Sequence, residues 1–311
     1  MKAIGVTKFG GPEALEVLEL PEPRPGPGEV RIRVHAAAVN PTDTGRRAGL
    51  RYDPTDGLPS VPGMDAAGVI DAIGPEAGDR LSVGDRVVTI VVPRGSHGAY
   101  AEQIVVPAAS VVRAPAEADF AAASTLLMNA MTARLALDSL ELSAGDTVAV
   151  TGAAGAFGGY LIQLAKAEGL HVIADAKPDD AGLVRELGAD DVVERGDAVA
   201  ERIRELRPDG VPGLADGAVL NERVVPAVAD GGRLATVRGW SGPAERDIKV
   251  LPVRVMQGAN ETAALERLVR QTEEGVLTLR VAKVFPAEQA ADAHRLLEAG
   301  GVRGRLVLDF G

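Results

Sequence analysis

The sequence predicts an α/β protein in which a parallel-sheet domain is inserted into a barrel-like β domain that the C-terminal tail completes. Three observations predict it. Residues 1–117 fall into short β-rich runs separated by Gly and Pro clusters. Residues 118–256 alternate strand-like and helix-like runs, as in a parallel sheet covered on both faces. Residues 257–311 break that rhythm, and a return to the first domain is the economical way to place them.

In the first part KAIGV, LEVLEL, EVRIRVHAAAV, AGVIDAIG, GDRVVTIVV and AYAEQIVV read as strands of a compact barrel-like domain. Pro21–Glu29, dense in proline, is a rigid connection. Ala116–Leu140 is alanine-rich, has no internal Gly or Pro, and reads as one helix. Strand Thr147–Thr151 precedes helix Ala156–Glu168, which sets Phe157, Leu161, Leu164 and Ala165 on one face. Strand His171–Ala174, helix Asp180–Leu187, strand Asp191–Val193 and helix Asp197–Leu206 follow, then strands Ala218–Leu220 and Arg233–Val237. In the tail, helix Glu261–Glu274, strand Arg280–Pro286, helix Ala287–Ala299 and strand Gly304–Phe310 are expected.

Composition excludes several classes. Hydrophobic residues at 46% and charged residues at 25% are ordinary for a globular protein. A net charge of −11 argues against a nucleic-acid surface, which needs clustered cations. The absence of cysteine removes disulfides, thiolate ligands and a thiol nucleophile together. His35, His97, His171 and His294 show no paired metal spacing. No apolar run reaches the ~20 residues of a membrane span, and MKAIGVTKFGG lacks a signal-peptide core. The expectation is a cytoplasmic protein with no membrane partner.

The informative stretch is TVAVTGAAGAFGGYLIQLAKAEGLHVIADAK, Thr147 to Lys177. A strand ends in a turn with Gly152, Gly155 and Gly158 at three-residue spacing, and a helix follows. Such a turn bares main-chain N–H groups and a helix N-terminus to an anion. The G-A-A-G-A-F-G spacing departs from G-x-G-x-x-G, but the strand before, the helix after and a second strand about 20 residues on fit a dinucleotide unit. Gly152, Ala153, Ala154, Gly155, Ala156, Phe157 and Gly158 are therefore expected to cradle a diphosphate. At the end of the second strand, VIADAKPDD offers one acid, Asp175, then Ala176 and Lys177. An acid there suits NAD, a cation NADP. Lys177 favours NADP(H), while Asp175 either faces the ribose or turns into the fold, depending on a one-residue register.

NPTDTGRRAG (Asn40–Gly49), VPGMDAAGVI (Val61–Ile70), VGDRVV (Val83–Val88), the glycine turn, ADGGRLATVRG (Ala229–Gly239) and GVRGRLVLDF (Gly301–Phe310) stand in the order found in medium-chain dehydrogenase/reductases. The chain most resembles their zinc-independent quinone oxidoreductase, zeta-crystallin-like branch, over essentially its whole length. That resemblance implies a Rossmann domain inserted into a GroES-like domain, an active cleft between them, NADP(H), and a homodimer. In zinc-dependent relatives a cysteine and a histidine stand where this chain has Asn40 and Met64. Without those ligands no metal is expected, and the chemistry reduces to hydride transfer positioned by the protein.

The resemblance also assigns residues. Asn40 would face the nicotinamide ribose and the substrate, its amide offering donor and acceptor; otherwise it is a turn residue before Pro41. Tyr52 would donate to the substrate oxygen, or is a surface tyrosine. Asp65 would stand behind the site, and Asp43 caps the following helix. Thr132 and Gly239 would lie by the cofactor, and Arg195 and Arg305 by its phosphates. Asn260 and Trp240 would line the substrate space. The expected activity is reduction of a quinone or an α,β-unsaturated carbonyl compound. An enoyl-thioester reductase and a NADPH-binding protein with a structural or regulatory duty are the alternatives.

Overall fold

The computed structural model describes residues 1–50, 57–242 and 246–311. It divides into two units, Met1–Met128 with Ala259–Glu274 and Leu279–Gly311, and Asn129–Gly258 with Gly275–Thr278.

The first unit opens with β1 (Lys2–Gly5) and β2 (Glu16–Glu19), an antiparallel pair. β3 (Glu29–Ala38) buries Val30, Ile32 and Val34 and turns Arg31, Arg33 and His35 outward, the period of two that a one-faced strand requires. Short helix α1 (Pro41–Arg47) follows, with Pro41 in its first turn and the Asp43 carboxylate accepting the Asn40 N–H at 2.8 Å. Next come β4 (Asp65–Ile73), β5 (Arg86–Ile90), β6 (Gln103–Pro107) and β7 (Val111–Arg113).

Ala116–Leu140 is not one helix. It breaks into α2 (Phe120–Ala123) and α3 (Leu127–Leu140). The Ser124 and Thr125 hydroxyls donate back to the carbonyls of Ala121 and Ala122, and the Met128 N–H goes to Asp65 Oδ1 at 2.9 Å. Side chains thus draw the backbone out of the helical ladder at its middle. The stretch 120–140 is also long and apolar enough to cross a bilayer, contrary to expectation, but 67% of its most apolar window is buried within the protein, as in a core helix.

The second unit carries a parallel sheet of β8 (Thr147–Thr151), β9 (His171–Ala176), β10 (Asp191–Glu194), β11 (Val211–Asp216), β12 (Val228–Thr236) and β13 (Lys249–Pro252). Helices α4 (Ala156–Ala167), α5 (Ala181–Glu186) and α6 (Val199–Leu206) connect the earlier strands. The strand order β10-β9-β8-β11-β12-β13 is that of a Rossmann sheet, with its switch point between β8 and β11. β8 is buried at every residue, as a central parallel strand must be.

The strand expected at Ala218–Leu220 lies earlier, as β11. Its VPGLAD sequence conceals it, since Pro and Gly both disfavour strand interiors. A register shift between Val211 and Gly213 accommodates Pro212. At Gly213 a Cβ would come within 2.8 Å of the tip of the Leu142 side chain, which packs over the strand there.

The tail, α7 (Thr262–Glu273), β14 (Val281–Pro286), α8 (Ala290–Ala299) and β15 (Arg305–Asp309), belongs to the first unit. β15 pairs antiparallel with β3, Val307 opposite Ala38, and completes a sheet ordered β14-β15-β3-β4-β5-β7, with β6 also on β3. Among the described residues no pairing closes this path into a barrel. A core of Val30, Ile32, Ile70, Tyr100, Ile104, Leu306 and Leu308 joins the N-terminal strands to the tail.

Candidate active site

The glycine turn leaves β8 at the switch point. Gly152 has φ +68, and a Cβ there would sit 2.9 Å from the Gly217 carbonyl carbon in the loop after β11. At Gly158 a Cβ would lie 2.5 Å from the Gly152 oxygen, so α4 can pack onto the turn only without a side chain. Gly155 differs. Its Cβ would touch only the Gly152 oxygen, at 3.1 Å, and otherwise project into open space. Gly155 is the N-cap of α4 and has no side chain, so an anion can approach the main chain and the helix dipole there. These residues fit a dinucleotide diphosphate.

Two carboxylates brace the loops. Thr151 Oγ1 donates to Asp216 Oδ1 at 2.6 Å, and Asp216 Oδ2 accepts the Asn221 N–H at 2.7 Å, tying the loop after β8 to the loop after β11. The residues between include Val219 at φ +58, a conformation that a β-branched residue rarely adopts. Asp175, 3% exposed, turns into the fold and accepts the Ala153 N–H at 3.1 Å. Burial raises its pKa from the ordinary carboxylate value, opposed by that N–H and by Arg195. Asp175 therefore supports the glycine turn from beneath.

Past it the side chains emerge. Ala176 is buried, and Lys177 and Arg195 are exposed. β9 and β10 run in register with Ala176 opposite Glu194, and the Arg195 N–H donates to the Ala176 carbonyl at 2.9 Å. Two cations thus stand at neighbouring strand ends, one residue beyond the sheet. In the same unit Thr132 is half-buried on α3, and Gly239, at φ +87, is exposed with open space where a Cβ would project. Half-buried Trp240 accepts the Thr236 hydroxyl at its carbonyl, 2.6 Å away.

The first unit gathers Asn40, Asp65 and Arg305. Asn40 is fully buried, with its amide between the Asp65 carboxylate and the Arg305 guanidinium. Arg305, expected near a phosphate, is 4% exposed and pairs with Asp65 at 3.1 Å. Thr42 Oγ1 lies 3.2 Å from Met64 Sδ. Asp43 Oδ1 accepts the Gly63 N–H at 3.2 Å, and Asp43 Oδ2 accepts from both the Asn40 N–H and the Tyr100 hydroxyl. One buried carboxylate so holds the Asn40 and Gly63 segments together. Burial raises Asp43 to a pKa of about 7 against those donors. Asn260 is exposed. Tyr52 lies outside the described residues. Among the described residues no three His, Cys, Asp or Glu side chains converge as a metal-binding group.

Tyr100, His294, Thr151 and Asp216 are residues that sequence reasoning missed. Asp216 at a strand end before Gly217 carried a signal, lost with the misplaced strand. For Tyr100 and His294, 194 positions apart, nothing local marks the contact.

Comparison with known proteins agrees with this geometry. Residues 26–116 match an alcohol dehydrogenase GroES-like domain and residues 187–308 a zinc-binding dehydrogenase. The quinone oxidoreductase of Sus scrofa is 31% identical over 99% of this chain and 97% of its own. The chloroplastic NADPH-dependent alkenal/one oxidoreductase of Arabidopsis thaliana is 31% identical over 99% of this chain and 79% of its own. A solved NAD-dependent alcohol dehydrogenase is 34% identical, covers 100% of both chains and has a TM-score of 0.88. A mycobacterial protein solved with NADPH is 30% identical over 99% of this chain and 100% of its own, with a TM-score of 0.87.

A GroES-like unit and a Rossmann unit in one chain define the medium-chain dehydrogenase/reductases. Within that class, this chain belongs to the quinone oxidoreductase family.

Proposed function

We propose that the protein is a NADPH-dependent reductase that acts without a metal on quinones or α,β-unsaturated carbonyl compounds. The observation that carries it is the glycine turn at the switch point, with a glycine at the helix N-cap for a diphosphate and two cations, Lys177 and Arg195, one strand away. A 2′-phosphate beside Ala176 would meet both charges, which supports NADPH over NADH. The names of the relatives, which include quinone and alkenal/one oxidoreductases, support the substrate class.

When bound, the cofactor supplies hydride from its reduced ring. The protein's own groups do the rest. Gly152–Gly158 hold the diphosphate through the main chain, and Thr132 and Gly239 flank the nicotinamide end. Asn40 is assigned to the ribose by the family likeness, and Asp65 and Arg305 hold its buried amide. Tyr52 donates its proton to the acceptor oxygen, where the added electrons collect. Asn260 and Trp240 line the acceptor space.

The test follows loss of NADPH absorbance with a small quinone, a simple enone and an enoyl-CoA. Reduction of the quinone or the enone is expected. Tight NADPH binding with no acceptor reduced would overturn the reductase and leave a cofactor-binding protein. Turnover of the enoyl-CoA alone would move the substrate to thioesters.

A further inference from the structure

Asp175, next to last in β9, keeps its carboxylate inside the fold at 3% exposure, beneath the turn that leaves β8. Its Oδ1 accepts the Ala153 N–H at 3.1 Å, and the Gly152 N–H also favours its charged form. Those donors belong to the turn that would receive a diphosphate. An acid in this place is coupled to a bound anion without touching it.

The groups around Asp175 leave its charge poorly compensated. From β10, Arg195 acts from an exposed position at the strand end. From β11 comes Asp216, a like charge that is itself 1% exposed. Glu194, opposite Ala176, and Lys177 are both exposed to solvent. Burial outweighs the N–H donors and Arg195 and raises the pKa of Asp175 above its ordinary 3.8. A diphosphate over the same turn adds negative charge to a poorly solvated place and acts in the same sense. The neutral acid keeps an oxygen for the Ala153 N–H and drops the repulsion.

We infer that Asp175 takes up a proton when the dinucleotide binds, so that the brace under the turn makes cofactor affinity fall as pH rises. The inference rests on the proposed reading, in which the glycine turn holds the diphosphate. It gives Asp175 the opposite duty to an acid that accepts from the ribose hydroxyls. Such an acid serves best when charged, and its nucleotide binds with no proton uptake or with release. Asp175 serves best when neutral.

NADH is the cleaner probe, because it lacks the 2′-phosphate, whose own titration at about pH 6 opposes the effect. Calorimetric titration in two buffers of different ionisation enthalpy counts the protons taken up for each NADH bound. Wild type should take up a fraction of a proton, and its NADH Kd should weaken by about 3- to 10-fold from about pH 6 to 8. Asp175→Asn keeps an acceptor for the Ala153 N–H but cannot titrate. Its NADH affinity should be level across that range and, at the upper end, no weaker than that of wild type.

Equal slopes in wild type and Asp175→Asn overturn the inference. So does an Asp175→Asn protein that loses NADH affinity at every pH, the mark of a ribose ligand. If the variant does not fold, the proton count on wild type decides, and no uptake overturns the inference. Nucleotide binding without proton uptake removes this inference alone. If wild type binds neither NADH nor NADPH, the glycine turn holds no diphosphate and the functional reading falls with it.

Discussion

His294 Nε2 lies 3.1 Å from the Tyr100 hydroxyl, and the direction of that hydrogen bond follows from its neighbours. Arg47 Nη1 can only donate, so the His294 Nδ1 that faces it at 3.4 Å accepts, and the ring proton sits on Nε2. Nε2–H then donates to Tyr100, whose O–H donates to Asp43 Oδ2. A polar chain runs from the Arg47–Glu298 ion pair to the carboxylate that secures Asn40.

Two residues of that chain tilt stability in opposite directions with pH. Burial, with Arg47 nearby, lowers His294 to a pKa of about 3, so between pH 6.5 and 3 the unfolded chain takes a proton that the native state refuses. Its contribution is whole above 6.5 and drains away on acidification. Asp43, raised to about 7 from 3.8, retains a native proton that the unfolded chain releases, so its contribution is whole below 3.8 and fades as pH rises to 7. Each slope is at most about 1.4 kcal/mol per pH unit. Urea midpoints between these limits should rise more steeply with pH in Asp43→Asn than in wild type, and His294→Gln should fall with pH. Parallel curves for all three proteins would contradict this.

Lys177→Ala should weaken NADPH by about 1–3 kcal/mol and NADH by far less. Arg195→Ala should act in the same direction, since both cations end adjacent strands. Calorimetric titration of each variant with both nucleotides measures the difference; equal losses for the two would remove the 2′-phosphate from this edge of the sheet.

Glycine substitutions separate the turn from ordinary helix. Gly158→Ala drives a methyl to 2.5 Å from the Gly152 oxygen, a backbone atom that cannot step aside, and should cost about 1–3 kcal/mol together with dinucleotide affinity. Gly182→Ala, inside α5 with nothing within 4 Å of its new methyl, should stabilise by about 0.4–1 kcal/mol. Thermal melts of the pair, with and without NADPH, read both effects.

For Tyr52→Phe, the proposed proton donation predicts a lower turnover with cofactor affinity intact. Stopped-flow reduction of a quinone and an enone would show it, and unchanged rates would dismiss the hydroxyl.

Much of this was legible from local pattern. The turn after β8 announces itself because glycine spacing, a short β-like run and an amphipathic helix are all short-range signals. β11 was hidden because Pro212 and Gly213 read locally as a turn, while Leu140 and Leu142, which pack over Gly213, lie some 70 positions earlier. Asn40, Asp65 and Arg305 were each singled out, yet not as partners; 265 residues separate the outer two, and strand pairing, not spacing, brings them together. His294 looked like any histidine on a mostly buried helix face. The break before α3 was unreadable for a similar reason, since the carboxylate that takes the Met128 N–H lies 63 residues upstream.

The position of β15 sets an order of events during synthesis. When the ribosome has made residue 258, every strand of the parallel sheet exists, while Gly275–Thr278 of that unit and the guanidinium of Asn40 are still to come. The earliest-made half of the protein is therefore the last to become structurally whole. A nascent chain arrested just short of Arg305 would hold the whole parallel sheet while the Asn40–Asp65 pair stood without its cation.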